Sequence, residues 1–289
     1  MQRLFIVGCG DIALRALPQL VREYEVTGLV RTPEQAGRVE KFGATSRLGD
    51  LDDAHSLQTA AGAPHLVLHL APPGDTGGED TRTRNLLAAL GSAPPARLVY
   101  VSTSGVYGDC AGEWVDEDRP VAPRTARARR RVDAENVLLG WGRDTGAAIA
   151  ILRVPGIYAA DRLPLERLRR GTPVLRAEDD VHTNHIHAED LAALCVTALR
   201  AAGAGRIYNA SDDSDMKMGD YFDLVADRAG LPRPPRIARA AAEAGAIPEA
   251  LLSFMRESRR LSNARMKNEL GVQLRYPSVR EGVPARVAA

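Results

Sequence analysis

The sequence predicts an α/β protein: a doubly wound parallel sheet carrying a smaller, mostly helical C-terminal lobe. Three observations carry that expectation. The run Leu4-Phe5-Ile6-Val7 is wholly apolar and abuts a glycine-rich turn, the pattern of a strand buried on both faces. Short apolar runs then alternate with helix-length stretches through the first half, which calls for right-handed crossovers between parallel strands. The last part of the chain has more Pro, Gly and Arg and little strand signal.

The elements follow in order. Strands are expected at residues 4–7, 26–30, 66–70, 98–102 and 148–153, with helices at 12–22, 33–41, 81–90 and 126–140 between them. A helix at 188–200 leads to a late strand at 206–209 that returns to the same sheet. Residues 1–157, rejoined by 182–212, therefore form one domain. The second lobe spans 158–289 and is discontinuous in sequence. Ligands of open parallel sheets sit at the carboxyl ends of the strands, so a cleft is expected between those ends and the lobe.

Composition narrows the function. The 289 residues carry a net charge of +1, with pI near 7.8, so no overall field favours nucleic acid or a membrane surface. Lys41, Lys217 and Lys267 are the only lysines. Cys9, Cys110 and Cys195 are odd in number and widely spaced, as reduced thiols are, with no metal-ligand pattern. No apolar run approaches the ~18 residues of a membrane span and no leader precedes the first strand, so a soluble cytoplasmic protein is expected.

The opening turn carries chemistry. Gly8-Cys9-Gly10-Asp11-Ile12-Ala13 is a G-x-G-x-x-A pattern between a strand and a helix, the Rossmann-type signature of dinucleotide binding. Gly8 and Gly10 permit a tight turn and close approach of a diphosphate to the free N–H groups of the helix start. Asp11 is expected to cap that helix, and Ala13 to let it pack on the strand. The second strand ends Val30-Arg31-Thr32 with no acidic residue to hold a ribose 2′-OH. Arg31 can fork onto a 2′-phosphate and Thr32 adds a hydroxyl, so NADP is expected, with NAD the alternative.

At this point the chain resembles the short-chain dehydrogenase/reductase superfamily in its extended, NAD-dependent epimerase/dehydratase-like branch, over nearly the whole length. Gly49-Asp50-Leu51 is similar to its adenine-contacting loop, and His69-Leu70-Ala71-Pro72-Pro73 to the segment lining the coenzyme. Val101-Ser102-Thr103-Ser104-Gly105-Val106-Tyr107-Gly108 resembles the strand bearing its Ser/Thr. Arg153-Val154-Pro155-Gly156-Ile157-Tyr158 resembles its nicotinamide loop. His185-Ile186-His187-Ala188-Glu189-Asp190-Leu191, Arg260-Leu261-Ser262-Asn263 and the segment from Tyr276 to Gly282 resemble later signatures. The resemblance implies coenzyme contacts from Asp50, Leu51, Ala71, Pro72, Pro73, Thr103, Pro155 and Ile157. It also implies an oxidoreductase or epimerase acting on a small molecule, as a monomer or dimer.

One departure matters. The family carries a tyrosine and, four residues on, a lysine on one helix face; the first relays a proton and the second lowers its pKa and holds the ribose. None of the seven tyrosines here has lysine at +4. Anchored on Glu135, the two positions fall on Arg127 and Arg131. Arg131 can still hold ribose hydroxyls. Arg127 cannot relay a proton, because guanidinium stays protonated at any working pH. The pair suits an anionic substrate better. Thr103 can orient a carbonyl, while Tyr107 is either a cleft residue or a packing residue. His182, His185 and His187 are read as structural, catalytic or, least of all, metal-binding.

Neighbouring charges have plainer readings. The run from Arg124 to Arg131 has no aromatic partners for nucleic acid, and Arg129 is expected to pair with Asp133 on a solvent face. Glu113, Asp116, Glu117 and Asp118 read as a solvated loop. Two functions stay open: an oxidoreductase with a rebuilt acid/base system, or a dinucleotide-binding sensor without hydride chemistry.

Overall fold

A computed structural model describes residues 1–57, 63–91 and 93–287. Its centre is a seven-stranded sheet of β1 (Gln2–Val7), β2 (Tyr24–Val30), β3 (Thr45–Leu48), β4 (Leu66–His69), β5 (Arg97–Thr103), β6 (Ala148–Val154) and β7 (Arg206–Asn209). Every pairing is parallel, and the order across the sheet is β3-β2-β1-β4-β5-β6-β7. The order reverses between β1 and β4, which opens a crevice at the carboxyl ends of those two strands. The Rossmann-type reading holds.

Helices cover both faces. α1 (Asp11–Glu23) and α2 (Pro33–Glu40) lie on one side, α3 (Thr81–Leu90) and α4 (Ala126–Thr145) on the other, and α5 (Ala188–Ala201) packs beside α1. Ala13, Ala16, Leu17 and Leu20 of α1 join Leu191, Leu194 and Leu199 of α5 in one core. Leu86, Leu87 and Leu90 of α3 meet Ala134 and Leu138 of α4 in the other.

Strand β3 escaped the sequence reading. Thr-Ser-Arg-Leu is an edge strand that stays largely exposed, so it needs no apolar pattern. Arg129 does not pair with Asp133, because that carboxylate ties α4 to α3 through Arg84 at 2.5 Å and accepts the Asp80 N–H at 2.7 Å. Arg129 instead donates to the Arg124 carbonyl.

The second lobe has its own core, with Tyr158, Leu168, Val174, Leu175, Phe222, Val225 and Met255 around α6 (Met218–Ala229). Short strand pairs stitch it to the first domain: His185–His187 with Gly156–Tyr158, and His182–Thr183 with Met216–Lys217. Beneath the junction a buried ion pair joins β6 to α4, Arg153 to Glu135 at 2.7 Å, and Ser102 of β5 donates to the same carboxylate at 2.5 Å.

Candidate active site and coenzyme cleft

The crevice holds two adjoining cavities along the strand ends. The outer one, about 310 Å³, is lined by Gly8, Gly10, Arg31, Gln35, Arg38, Asp50, Leu51, Ala71, Pro72 and Arg82 among others. Arg31 and Arg38 stand where β2 ends. Arg82 is held by Asp52 at 2.7 and 2.5 Å, while Asp50 is fixed by the Asp52 N–H on its carboxylate at 3.0 Å. Thr32 does not line this cavity; its hydroxyl accepts from the Gln35 N–H at 3.3 Å and caps α2. Pro73 is also absent from the lining, and its carbonyl accepts from Arg82 at 3.3 Å.

The inner cavity, about 290 Å³, is lined by Gly8, Gly10, Asp11, Ile12, Thr103, Arg131, Pro155, Ile157 and Arg162 among others. Glycine is required at position 8. Its φ is +95°, and a Cβ there would lie 2.5 Å from the Ala71 backbone nitrogen. Gly10 is the opposite case, since a Cβ built on it meets nothing within 4 Å, leaving open space at the start of α1. The helix cap expected from Asp11 is corrected. Gly10 is the N-cap and Asp11 the first helical residue, its carboxylate bound by Arg15 and Arg162, each at 2.9 Å. Those two cations hold the Asp11 carboxyl below the usual range against the opposing pull of burial.

A third cavity, about 520 Å³, opens between α4 and the second lobe. Thr103, Arg131 and Pro155 line both this cavity and the inner crevice, so the two spaces meet at those three residues. Arg131 donates to the Tyr100 hydroxyl at 2.9 Å and the Val101 carbonyl at 2.6 Å. Arg127 lies one helical turn away, exposed, with its guanidinium 4.7 Å above the Phe254 ring. Both line the cavity, as the shared helix face requires.

A family model described as NAD(P)H-binding matches residues 8–202, the span containing all of these coenzyme-facing elements. The chain belongs to this family. It falls among the short-chain dehydrogenase/reductases of the NAD-dependent epimerase/dehydratase-like kind, a family of oxidoreductases and epimerases. The chain is 26% identical over 268 residues to a 4-hydroxy-2-methyl-3-oxo-4-farnesyl-3,4-dihydroquinoline-1-oxide ketoreductase of Stigmatella aurantiaca, covering 84% of this chain and 79% of that protein. It is 25% identical over 256 residues to a GDP-6-deoxy-D-mannose reductase of Pseudomonas aeruginosa, covering 79% and 80%. A conserved protein of unknown function from Silicibacter pomeroyi superposes with a TM-score of 0.82 at 30% identity, covering 98% of this chain and 96% of the other.

Against that NAD(P)H-binding frame, Tyr107 is corrected. It lines none of the three cavities and is 1% exposed, its hydroxyl donating to Asn209 at 2.7 Å and its ring under Arg153. Burial pushes its phenol up to about 12. Thr103 does stand at the junction, its hydroxyl accepting the Gly105 N–H at 3.2 Å.

The histidines separate. His187 caps α5 by accepting the Glu189 N–H at 3.2 Å, a structural role. His185 is 5% exposed, stacks on Tyr221 and lines the large cavity, and burial drives its pKa down to about 3. His182 lines the same cavity with Nδ1 3.1 Å from Asp215. Among the described residues no group of three or more His, Cys, Asp or Glu could hold a metal, and no helix is long and apolar enough to cross a membrane. Burial raises the Cys9 thiol to about 12, so it is inert beside the phosphate turn.

Among the contributors absent from the sequence reading are Arg38, Arg82, Arg162, Arg167 and Arg259. One signal was available for Arg38. It lies one and a half turns along the helix that Arg31-Thr32 opens.

Proposed function

We propose that the chain is an NADP(H)-preferring oxidoreductase acting on a small carbonyl or hydroxyl compound, with acid/base chemistry rebuilt around the missing tyrosine. The observation that carries this reading is the junction at Thr103, Arg131 and Pro155, where the crevice meets a cavity large enough for a second molecule. A sensor has no use for that second cavity. Its similarity to a ketoreductase supports the same reading.

The residues present fit a phosphorylated dinucleotide. Gly8 and Gly10 make the turn and leave the space for a diphosphate, with Arg162 beside it. Arg31 and Arg38 meet a 2′-phosphate where a carboxylate would repel it. Leu51, Ala71 and Pro72 wall the adenine side. The bound coenzyme supplies hydride chemistry at the junction.

The chain's own residues do the rest. Thr103 donates a hydrogen bond to the substrate oxygen, and the fixed charge of Arg131 stabilises the negative charge that develops there. The proton comes from elsewhere. Of the titratable groups lining the cavity, His185 is neutral, Tyr221 is raised further by burial, and Glu257 is bound to Arg259 at 2.9 Å. His182 remains, part-exposed in the cavity with Asp215 3.1 Å from its Nδ1.

Calorimetry with NADPH and NADH tests the coenzyme half. NADPH binds more tightly, and Arg31→Ala removes about tenfold of the difference. Equal affinities in the native chain defeat the assignment. His182→Gln lowers turnover by about 10²- to 10⁴-fold with coenzyme affinity kept, the contribution of a positioned acid. An unchanged rate excludes that donor.

A further inference from the structure

The wall of the large cavity is charged with one sign. Arg127, Arg131, Arg167 and Arg259 line it against a single carboxylate, Glu257, which already binds Arg259. Among the described residues the other three guanidinium groups face only neutral partners. Arg127 sits over Phe254, and Arg131 donates to the Tyr100 hydroxyl and the Val101 carbonyl. Arg167 lies 4.1 Å over the Phe222 ring and donates to the Pro173 carbonyl at 3.4 Å. Its Nε is buried without a partner, as is Nδ1 of the nearby cavity residue His185, which is 5% exposed. Burial with no carboxylate to offset it pulls Arg167 down to about 10, yet it stays cationic at neutral pH. Other arginines without an acid are taken up by backbone carbonyls, as Arg97 is by those of Leu199 and Arg200, whereas Arg15 bonds Asp11, Asp161 and Glu189. Two half-buried cations, Arg131 and Arg167, left in one cavity with the exposed Arg127 and, among the described residues, no free carboxylate call for an anionic ligand.

We propose that Arg127, Arg131 and Arg167 bind an anionic group of the substrate, a carboxylate or phosphate carried within a few bonds of the reacting oxygen. The distance follows from the helix. Arg131 stands at the junction with Thr103, and Arg127, one turn away on the same face, has its Cβ about 5–6 Å from that of Arg131. Phe254, 46% exposed beneath Arg127, offers apolar surface to the remainder of the molecule. This inference rests on the oxidoreductase reading for the word substrate, but the anion site itself is testable without coenzyme.

The full-length chain is titrated calorimetrically with benzoate, phenyl phosphate and neutral benzamide, with and without saturating NADP⁺. The anions bind at least tenfold more tightly than benzamide and do so in the presence of NADP⁺. The stronger of the two identifies carboxylate or phosphate as the group preferred. Arg127→Gln and Arg167→Gln each weaken the anion about tenfold, the loss of a charge-assisted hydrogen bond, and leave benzamide unchanged. Arg167→Lys recovers most of the loss. Arg127 is exposed, so its variant reads the site even where a substitution at 167 disturbs the lobe. Equal binding of anions and benzamide overturns the proposal, as do unchanged affinities in both variants. Displacement of the anion by NADP⁺ also overturns it, because the anion then sits at the start of α1. Anion binding that persists in a chain taking up no NADPH upholds this site while defeating the coenzyme reading.

Discussion

The two halves of the cleft are built by different means. The coenzyme half is anchored on the backbone of one turn: Gly8 with no room for a side chain, Gly10 with space in front of it, and the start of α1 directly after them, with side chains such as Arg31, Asp50 and Arg82 around it. The substrate half is made of side chains that the chain brings together from α4, the 160s, the 180s and the 250s. Backbone geometry of the first kind tolerates little change and serves one class of ligand. Side chains of the second kind can be exchanged one at a time while the frame around them stays the same. Fold and coenzyme are thus separable from the reaction.

The largest expected effect lies under the substrate half. Arg153 and Glu135 are 4% and 3% exposed, and the pair ties β6 to α4 with Ser102 as a third partner. Arg153→Met leaves a buried carboxylate with no cation and costs about 3–5 kcal/mol of stability, read from denaturant unfolding. Combined with Glu135→Gln, most of that loss is recovered. A single variant as stable as the native chain shows that the substrate half does not rest on this pair.

The next effect breaks the coenzyme half. Gly8→Ala places a methyl group 2.5 Å from the Ala71 nitrogen at a φ of +95°. The backbone conformation alone costs about 1–3 kcal/mol, and the displaced turn loses its fit to a diphosphate. Thermal unfolding and NADPH titration read the two consequences separately. Gly10→Ala, with open space around its Cβ, changes stability far less and reports on ligand approach alone. Similar losses of stability at 8 and 10 contradict the account of the turn.

How much of this was legible in the sequence follows the same division. The strand, the turn and α1 are contiguous, so residues 4–13 announce the sheet and its ligand together. Arg31 was legible as the residue at the tip of β2. Thr32 was misjudged because its hydroxyl is needed first by the open N-terminus of α2. Tyr107 stayed open between cleft and core because nearness to Thr103 in sequence says nothing of direction. A single 3₁₀ turn, Ser104–Tyr107, swings it into the core onto Asn209 of β7. Arg162 and Arg167 were invisible as site residues, since nothing local distinguishes them among so many arginines. Only the docking of the second lobe turns them inward.

The smallest expected effect compares the halves by their response to acid. His69, on the coenzyme side at the end of β4, is 1% exposed, and burial with Arg131 nearby lowers its pKa from the usual 6.5 to about 3. Unfolded chain takes up that proton near pH 6.5 and folded chain does not. The contribution of His69 is therefore fully present above pH 6.5 and is lost as pH falls toward 3, by at most about 1.4 kcal/mol per pH unit. On the substrate side His185 acts the same way, but Asp212 opposes it. Burial raises the Asp212 carboxyl from 3.8 to about 7, so its contribution is present below pH 3.8 and fades as pH rises through 7. Between pH 6.5 and 5 His185 and Asp212 on the substrate side act in opposite directions, while His69 acts only to lower stability as pH falls. Stability measured by unfolding falls across that window, His69→Gln flattens the fall, and Asp212→Asn steepens it. A fall that His69→Gln leaves unchanged assigns the acid sensitivity elsewhere and removes this contrast between the halves.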